Sequence, residues 1–76
     1  MKQFQLYVRS GCHLCEAMEA DLSTFIASGK IQVDRIFIDN DENLKKLYGE
    51  CIPVLMHDKT LVCEYFLDPD KLHQML

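Results

Sequence analysis

The chain has 76 residues, 49% of them apolar, enough for one domain with a thin core and too many for a disordered segment. Its formal net charge is −4, and the eight Lys and Arg are scattered and outnumbered. The basic face that nucleic-acid binding requires is therefore missing, and no nucleic-acid partner is expected.

The start, Met1 to Val8, alternates polar with apolar residues; Phe4, Leu6 and Val8 against Gln3, Gln5 and Tyr7 predict a first strand. It lacks the long apolar stretch of a secretory signal, which makes the cytoplasm the default expectation. Ser10 and Gly11 break the strand. From His13 to about Ser28, Leu14, Met18, Leu22, Phe25 and Ile26 recur at helical spacing, and Gly29 is placed to end that helix. Ile31 to Ile38, rich in β-branched residues and closing on Ile36-Phe37-Ile38, reads as a buried strand. Asp39 to Asp41 are turn and helix-start residues before a short helix carrying Leu44, Leu47 and Tyr48, with Gly49 at its end. Pro53 to His57 and Thr60 to Tyr65 form a hairpin about Asp58-Lys59, and Asp68-Pro69 is a capped start for a last helix bearing Leu72, Met75 and Leu76. The longest apolar run, Cys51 to Met56, is far too short to cross a bilayer, so no membrane contact is expected. The order is βαβαββα over a single domain, 1–76, which predicts an α/β protein with a four-stranded mixed sheet flanked by helices.

Four cysteines in so short a chain raise the possibility of a disulfide scaffold. Cys12-His13-Leu14-Cys15 is too tight to close a stabilising loop, and in a reducing compartment such a pair is catalytic or metal-binding. Its setting, after a strand and at the start of a long amphipathic helix, favours redox chemistry. Residues three apart share a helix face, so the two thiols can close a disulfide within one turn. Cys12 lies where backbone N–H groups are unpaired and the dipole is positive, which favours thiolate over thiol. The thiolate is the attacking species in disulfide exchange. Cys12 is thus the expected nucleophile and Cys15, on the next turn, the resolving thiol. A protonated His13 and a nearby Arg9 would tune the site by adding positive field. The expected reaction partner is a disulfide-bearing protein or small molecule, with a thiol reductant restoring the dithiol.

The same pair could instead serve a metal- or iron–sulfur-binding module. Zinc needs four ligands. Cys51 and Cys63 stand twelve positions apart and form no second pair, and His57 and His73 show no ligand spacing, so no metal residues are assigned. A thioredoxin-fold interaction domain with idle thiols is the third reading.

Pro53 opens what reads as an internal strand, where a missing N–H is awkward. It either simply begins the strand or forms a cis bond in a turn. A cis bond would bring the Ile52 backbone beside Cys12, where it could pair with an extended substrate segment.

Tyr7-Val8-Arg9-Ser10-Gly11-Cys12-His13-Leu14-Cys15, followed by Tyr48-Gly49-Glu50-Cys51-Ile52-Pro53-Val54-Leu55, resembles the small glutaredoxin-like proteins of the thioredoxin superfamily over nearly the whole chain. The resemblance implies a thioredoxin fold with strand order β2-β1-β3-β4, a nucleophilic Cys12, a resolving Cys15 and a cis Pro53. It implies the reaction type, a thiol–disulfide oxidoreductase of cell redox homeostasis, but not the reductant or substrate; a monomer with no tightly bound cofactor is expected, with glutathione or a thioredoxin-type system as the candidate reductant. Gly11, Leu14, Ile52 and Pro53 are the expected substrate-binding residues. Glutaredoxins usually carry Pro-Tyr where this chain has His13-Leu14. They also carry Gly-Gly where it has Glu64-Tyr65-Phe66, whose side chains would crowd bound glutathione.

Cys51 reads as a small buried residue, with a third redox thiol as the alternative, and Cys63 as structural. Tyr7 and Tyr48 read as packing residues, His57 and His73 as surface residues, and the acidic run from Asp39 to Glu42 as a capped helix start.

Overall fold

The computed structural model describes residues 2–76; Met1, the first residue of the alternating start, lies outside them. The elements are β1 (Lys2–Val8), α1 (His13–Ala27), β2 (Ile31–Phe37), α2 (Glu42–Tyr48), β3 (Val54–His57), β4 (Thr60–Glu64) and α3 (Pro69–Gln74). They build one sheet in the order β2-β1-β3-β4. β1 runs parallel to β2 and antiparallel to β3, and β4 is antiparallel to β3. This is the mixed open sheet of a thioredoxin-like α/β fold.

The two-residue period of β1 assigns the layers. Phe4, Leu6 and Val8 are buried on one face and cluster with Met18 and Leu22 of α1 and Leu72 of α3. Tyr7 points the other way, as alternation requires, and stacks on Tyr48 of α2 with ring centroids 4.3 Å apart. Helices α1 and α3 thus cover one face and α2 the other. Burial of the Tyr7 phenol, with Tyr48 beside it, raises its pKa above the ordinary value.

Local chemistry sets the ends of the elements. Asp41 caps α2 by accepting the N–H groups of Asn43 (2.9 Å) and Leu44 (3.1 Å), and Asp68 caps α3 by accepting that of Lys71 (3.2 Å). Gly29 follows α1 at φ +77°, a left-handed conformation that suits a residue without Cβ.

Burial departs in places from what the apolar spacing suggests. The buried stripe of α1 is Cys15, Met18 and Leu22, while Leu14 (37% exposed) and Ile26 (44%) fall at its margins. Strand β2 is not a fully buried strand: it lies at the sheet edge, only Ile31 within it is buried, and Phe37 is 49% exposed. Helix α2 has no fully buried residue, and Leu47 projects outward. In each case apolar spacing gave the element; β2 is uncovered in part because it lies at the sheet edge and α2 because it is short, while in α1 only the residues at the centre of the apolar stripe reach the sheet.

Leu55, on the interior strand β3 and opposite Leu6, is fully buried. Leu55→Ala is expected to cost about 2–5 kcal/mol in a urea titration, a large share of the stability of so small a domain. The outward Leu47→Ala should change it by no more than about 0.5 kcal/mol.

Candidate active site

The site forms where β1 ends and α1 begins. Gly11 takes φ +70° and turns the chain so that Cys12 becomes the N-cap of α1. An N-cap side chain faces the unpaired amides of the first turn. Here the group in that place is a sulfur: Cys12 Sγ accepts the backbone N–H of Cys15 at 3.1 Å. Cys12 and Cys15 are joined as a disulfide with Cα atoms 5.2 Å apart, inside the usual span for such bonds. Both residues are buried, Cys12 at 8% exposure and Cys15 at 2%.

The loop before Cys12 is tied from the far end of β2. The Asp39 carboxylate accepts both the backbone N–H and the hydroxyl of Ser10, each at 3.1 Å. Ile38 N–H donates to Val8 C=O at 3.0 Å, extending the β1–β2 pairing to that point. Spacing marks Asp39 as a turn residue; its hold on Ser10 comes from the parallel register, which sequence does not display.

On the other side of the pair lies the segment before β3. The Ile52–Pro53 peptide bond is cis. Ile52 is buried in the same cluster as Cys12, and its backbone N–H and C=O have no hydrogen-bond partner among the described residues. Tyr65 N–H donates to Pro53 C=O (2.9 Å) and its hydroxyl to Glu50 C=O (2.6 Å), which holds Tyr65 at φ +66°. A bulky residue in that region needs such contacts to keep it there. Leu14 and Phe66 remain exposed.

The expected tuning residues stand further out. The His13 side chain is 98% exposed, with Nδ1 3.8 Å from Glu16 Oε2. Arg9 is exposed and lines a cavity of about 260 Å³ that also touches Cys12, Cys15, Glu16, Glu19 and Arg35. Arg35 Nη1 reaches Glu19 Oε1 at 3.1 Å, and its guanidinium lies 5.3 Å from the Phe37 ring centroid. Glu19, Arg35 and Phe37 stand out in the sequence only through the helical spacing of Glu19 from Cys15.

Cys51 and Cys63 are free thiols. Cys51 is half-buried and its pKa is raised, chiefly by its hydrogen bond to the Glu64 carboxylate and then by burial. Cys63 is buried, and burial raises its pKa as well. Among the described residues, no three His, Cys, Asp or Glu side chains gather as a metal-binding set, and no helix is long and apolar enough to cross a membrane.

Because the raised pKa of Cys51 lowers its thiolate fraction at neutral pH, Glu64→Gln should accelerate alkylation of Cys51 at pH 7 in the reduced protein. Peptide mass spectrometry over time reads this directly, and an unchanged rate would show that Glu64 does not hold the thiol proton.

Residues 3–76 match the family model described as Glutaredoxin-like domain (DUF836). Among solved structures, the chain is similar to a protein of Nitrosomonas europaea determined by solution NMR, at 36% identity and TM-score 0.86 over 99% of this chain and 91% of that one. It is similar to an X. campestris protein solved by X-ray crystallography, at 29% identity and TM-score 0.75 over 95% of this chain and 92% of that one. A malarial protein at 15% identity and TM-score 0.64, over 96% of this chain and 90% of that one, shares the fold. No curated protein matches the sequence significantly. A cysteine pair closing the first turn of α1, on a thioredoxin-like sheet matched over its whole length, thus places this chain in the glutaredoxin-like domain family.

Proposed function

We propose that this protein is a thiol–disulfide oxidoreductase in which Cys12 attacks a substrate disulfide and Cys15 resolves the mixed disulfide. The observation that carries the reading is the sulfur at the N-cap, accepting a backbone N–H while paired with a second sulfur one turn along. A thiolate there gains from the helix dipole, about 0.3–2 kcal/mol depending on burial, and from a hydrogen bond to a charged group, about 1.5–3 kcal/mol. Both effects favour the thiolate over the thiol at Cys12.

The N-cap residue, which is the less buried of the two, is assigned the attack, and the deeper residue the resolution. In the reducing direction, Cys12 thiolate displaces one substrate thiolate and forms the mixed disulfide. Cys15 then displaces the second and leaves the Cys12–Cys15 disulfide. A thiol reductant, glutathione or a thioredoxin-type system, returns the pair to the dithiol. The unpaired Ile52 backbone is proposed to align an extended protein segment by strand addition, with Pro53, Gly11 and Leu14 completing the contact surface. Arg9 adds positive field. His13 stands in solvent beside Glu16, on the first turn next to Cys12, where a protonated ring would add to that field. The acceptor is a cytoplasmic disulfide-bearing protein or small molecule.

Cys12→Ser should abolish reduction of a protein disulfide. Cys15→Ser should accumulate a mixed disulfide through Cys12, seen as a mass increment that reductant removes. A Cys15→Ser variant that turns over such substrates as fast as the wild type would remove the resolving role.

A further inference from the structure

Cys15 is only 2% exposed, so bulk water is not at hand to take the proton of its thiol. Its attack on the mixed disulfide therefore requires a place for its proton. Cys15 lines the 260 Å³ cavity at the first turns of α1, whose lining includes neither Ile52 nor Leu14. That is room for several waters at about 30 Å³ each.

The groups facing it are Arg9 from the loop, Cys12, Glu16 and Glu19 from α1, and Arg35 from β2. The two carboxylates are not equivalent. Glu16 stands four residues after Cys12, its side chain is 73% exposed, and it turns toward His13. Glu19 stands four residues after Cys15, which puts the two side chains on one helix face about 5–6 Å apart at Cβ. It is 31% exposed and held at 3.1 Å by Arg35. Arg35 pairs in register with Leu6 and so projects on the α1 face of the sheet, where the Phe37 ring lies against its guanidinium. The carboxylate is thus fixed over the cavity instead of sweeping through solvent.

We propose that Glu19 is the proton acceptor for Cys15 in the resolving step, acting through water in this cavity, with Arg35 as its positioning residue. The inference rests on the redox reading above and adds to it the residue that activates the buried thiol. The Cys15 proton passes through water to the Glu19 carboxylate. The freed electron pair on Cys15 forms the S–S bond to Cys12 as the bond from Cys12 to the substrate sulfur breaks. The substrate sulfur leaves with that bond's electron pair as a thiolate. Over the two steps the protein sulfurs lose two electrons and the substrate disulfide gains them. Glu19 then passes its proton to solvent or to the departing thiolate, so no further oxidant or base is consumed.

The test is rapid-mixing kinetics of the reduced protein with one equivalent of an aromatic disulfide whose thiolate is coloured. The first release reports attack by Cys12 and the second reports resolution by Cys15. At pH 6.5, Glu19→Gln should leave the first phase within about twofold of wild type and slow the second about a hundredfold, at the low end for general base catalysis. The gap should close by pH 9, where hydroxide replaces the carboxylate; Glu19→Asp should recover part of the rate, and Glu16→Gln should leave the second phase unchanged. A second phase in Glu19→Gln within twofold of wild type at every pH would overturn the assignment. So would equal slowing of both phases at every pH, or a slow second phase in Glu16→Gln instead. A wild-type protein lacking the first phase would overturn the redox reading itself, which keeps the two failures apart.

Discussion

The structure turns on one hydrogen bond, from the backbone N–H of Cys15 to the sulfur of Cys12. A helix start must satisfy its free amides, and oxygen side chains normally do so. Two other helices in this chain follow that rule, with Asp41 and Asp68 in the capping position. Only α1 has sulfur there. The same amides that stabilise the helix when capped also stabilise negative charge on the capping atom, so the demand of local structure and the demand of the proposed chemistry coincide at a single atom.

The rest of the fold serves to hold that atom still and to give it two different surroundings. The hydrogen bonds from Ser10 to Asp39 fix the approach from β1, and Met18 and Leu22 anchor α1 to the sheet behind it. On one side of the pair lie Ile52, with an unpaired backbone, and the exposed Leu14, which suit an extended partner. On the other lies a polar cavity with charged walls, which suits the movement of protons. In the proposed cycle the substrate arrives on the first side and the buried thiol is activated from the second. The remaining thiols have raised pKa values, that of Cys51 chiefly through the neighbouring Glu64 and that of Cys63 chiefly through burial, which disfavours their thiolates.

Much of this is readable in the residues themselves. Alternation along Phe4, Leu6 and Val8, helical spacing through Met18 and Leu22, and the Asp68-Pro69 start each report a local rule that the fold obeys. The pairing of Cys12 with Cys15 follows from their spacing at a helix start. Burial was less readable at the margins. Phe37 and Leu47 are apolar residues at the right period, but whether they are covered depends on where β2 and α2 sit relative to the sheet, and local spacing carries no such information. The same limit hides Asp39 and Arg35. Each acts on the site across the β1–β2 register, a long-range relation that a single sequence does not state.

The central claim concerns charge on one sulfur, and the pH dependence of alkylation at Cys12 in the reduced protein measures it most directly. Half-maximal rate is expected clearly below about pH 8.5, the value for a free thiol. A half-maximal rate at or above that value would contradict it, because the amides at the head of α1 would then confer no advantage on the anion.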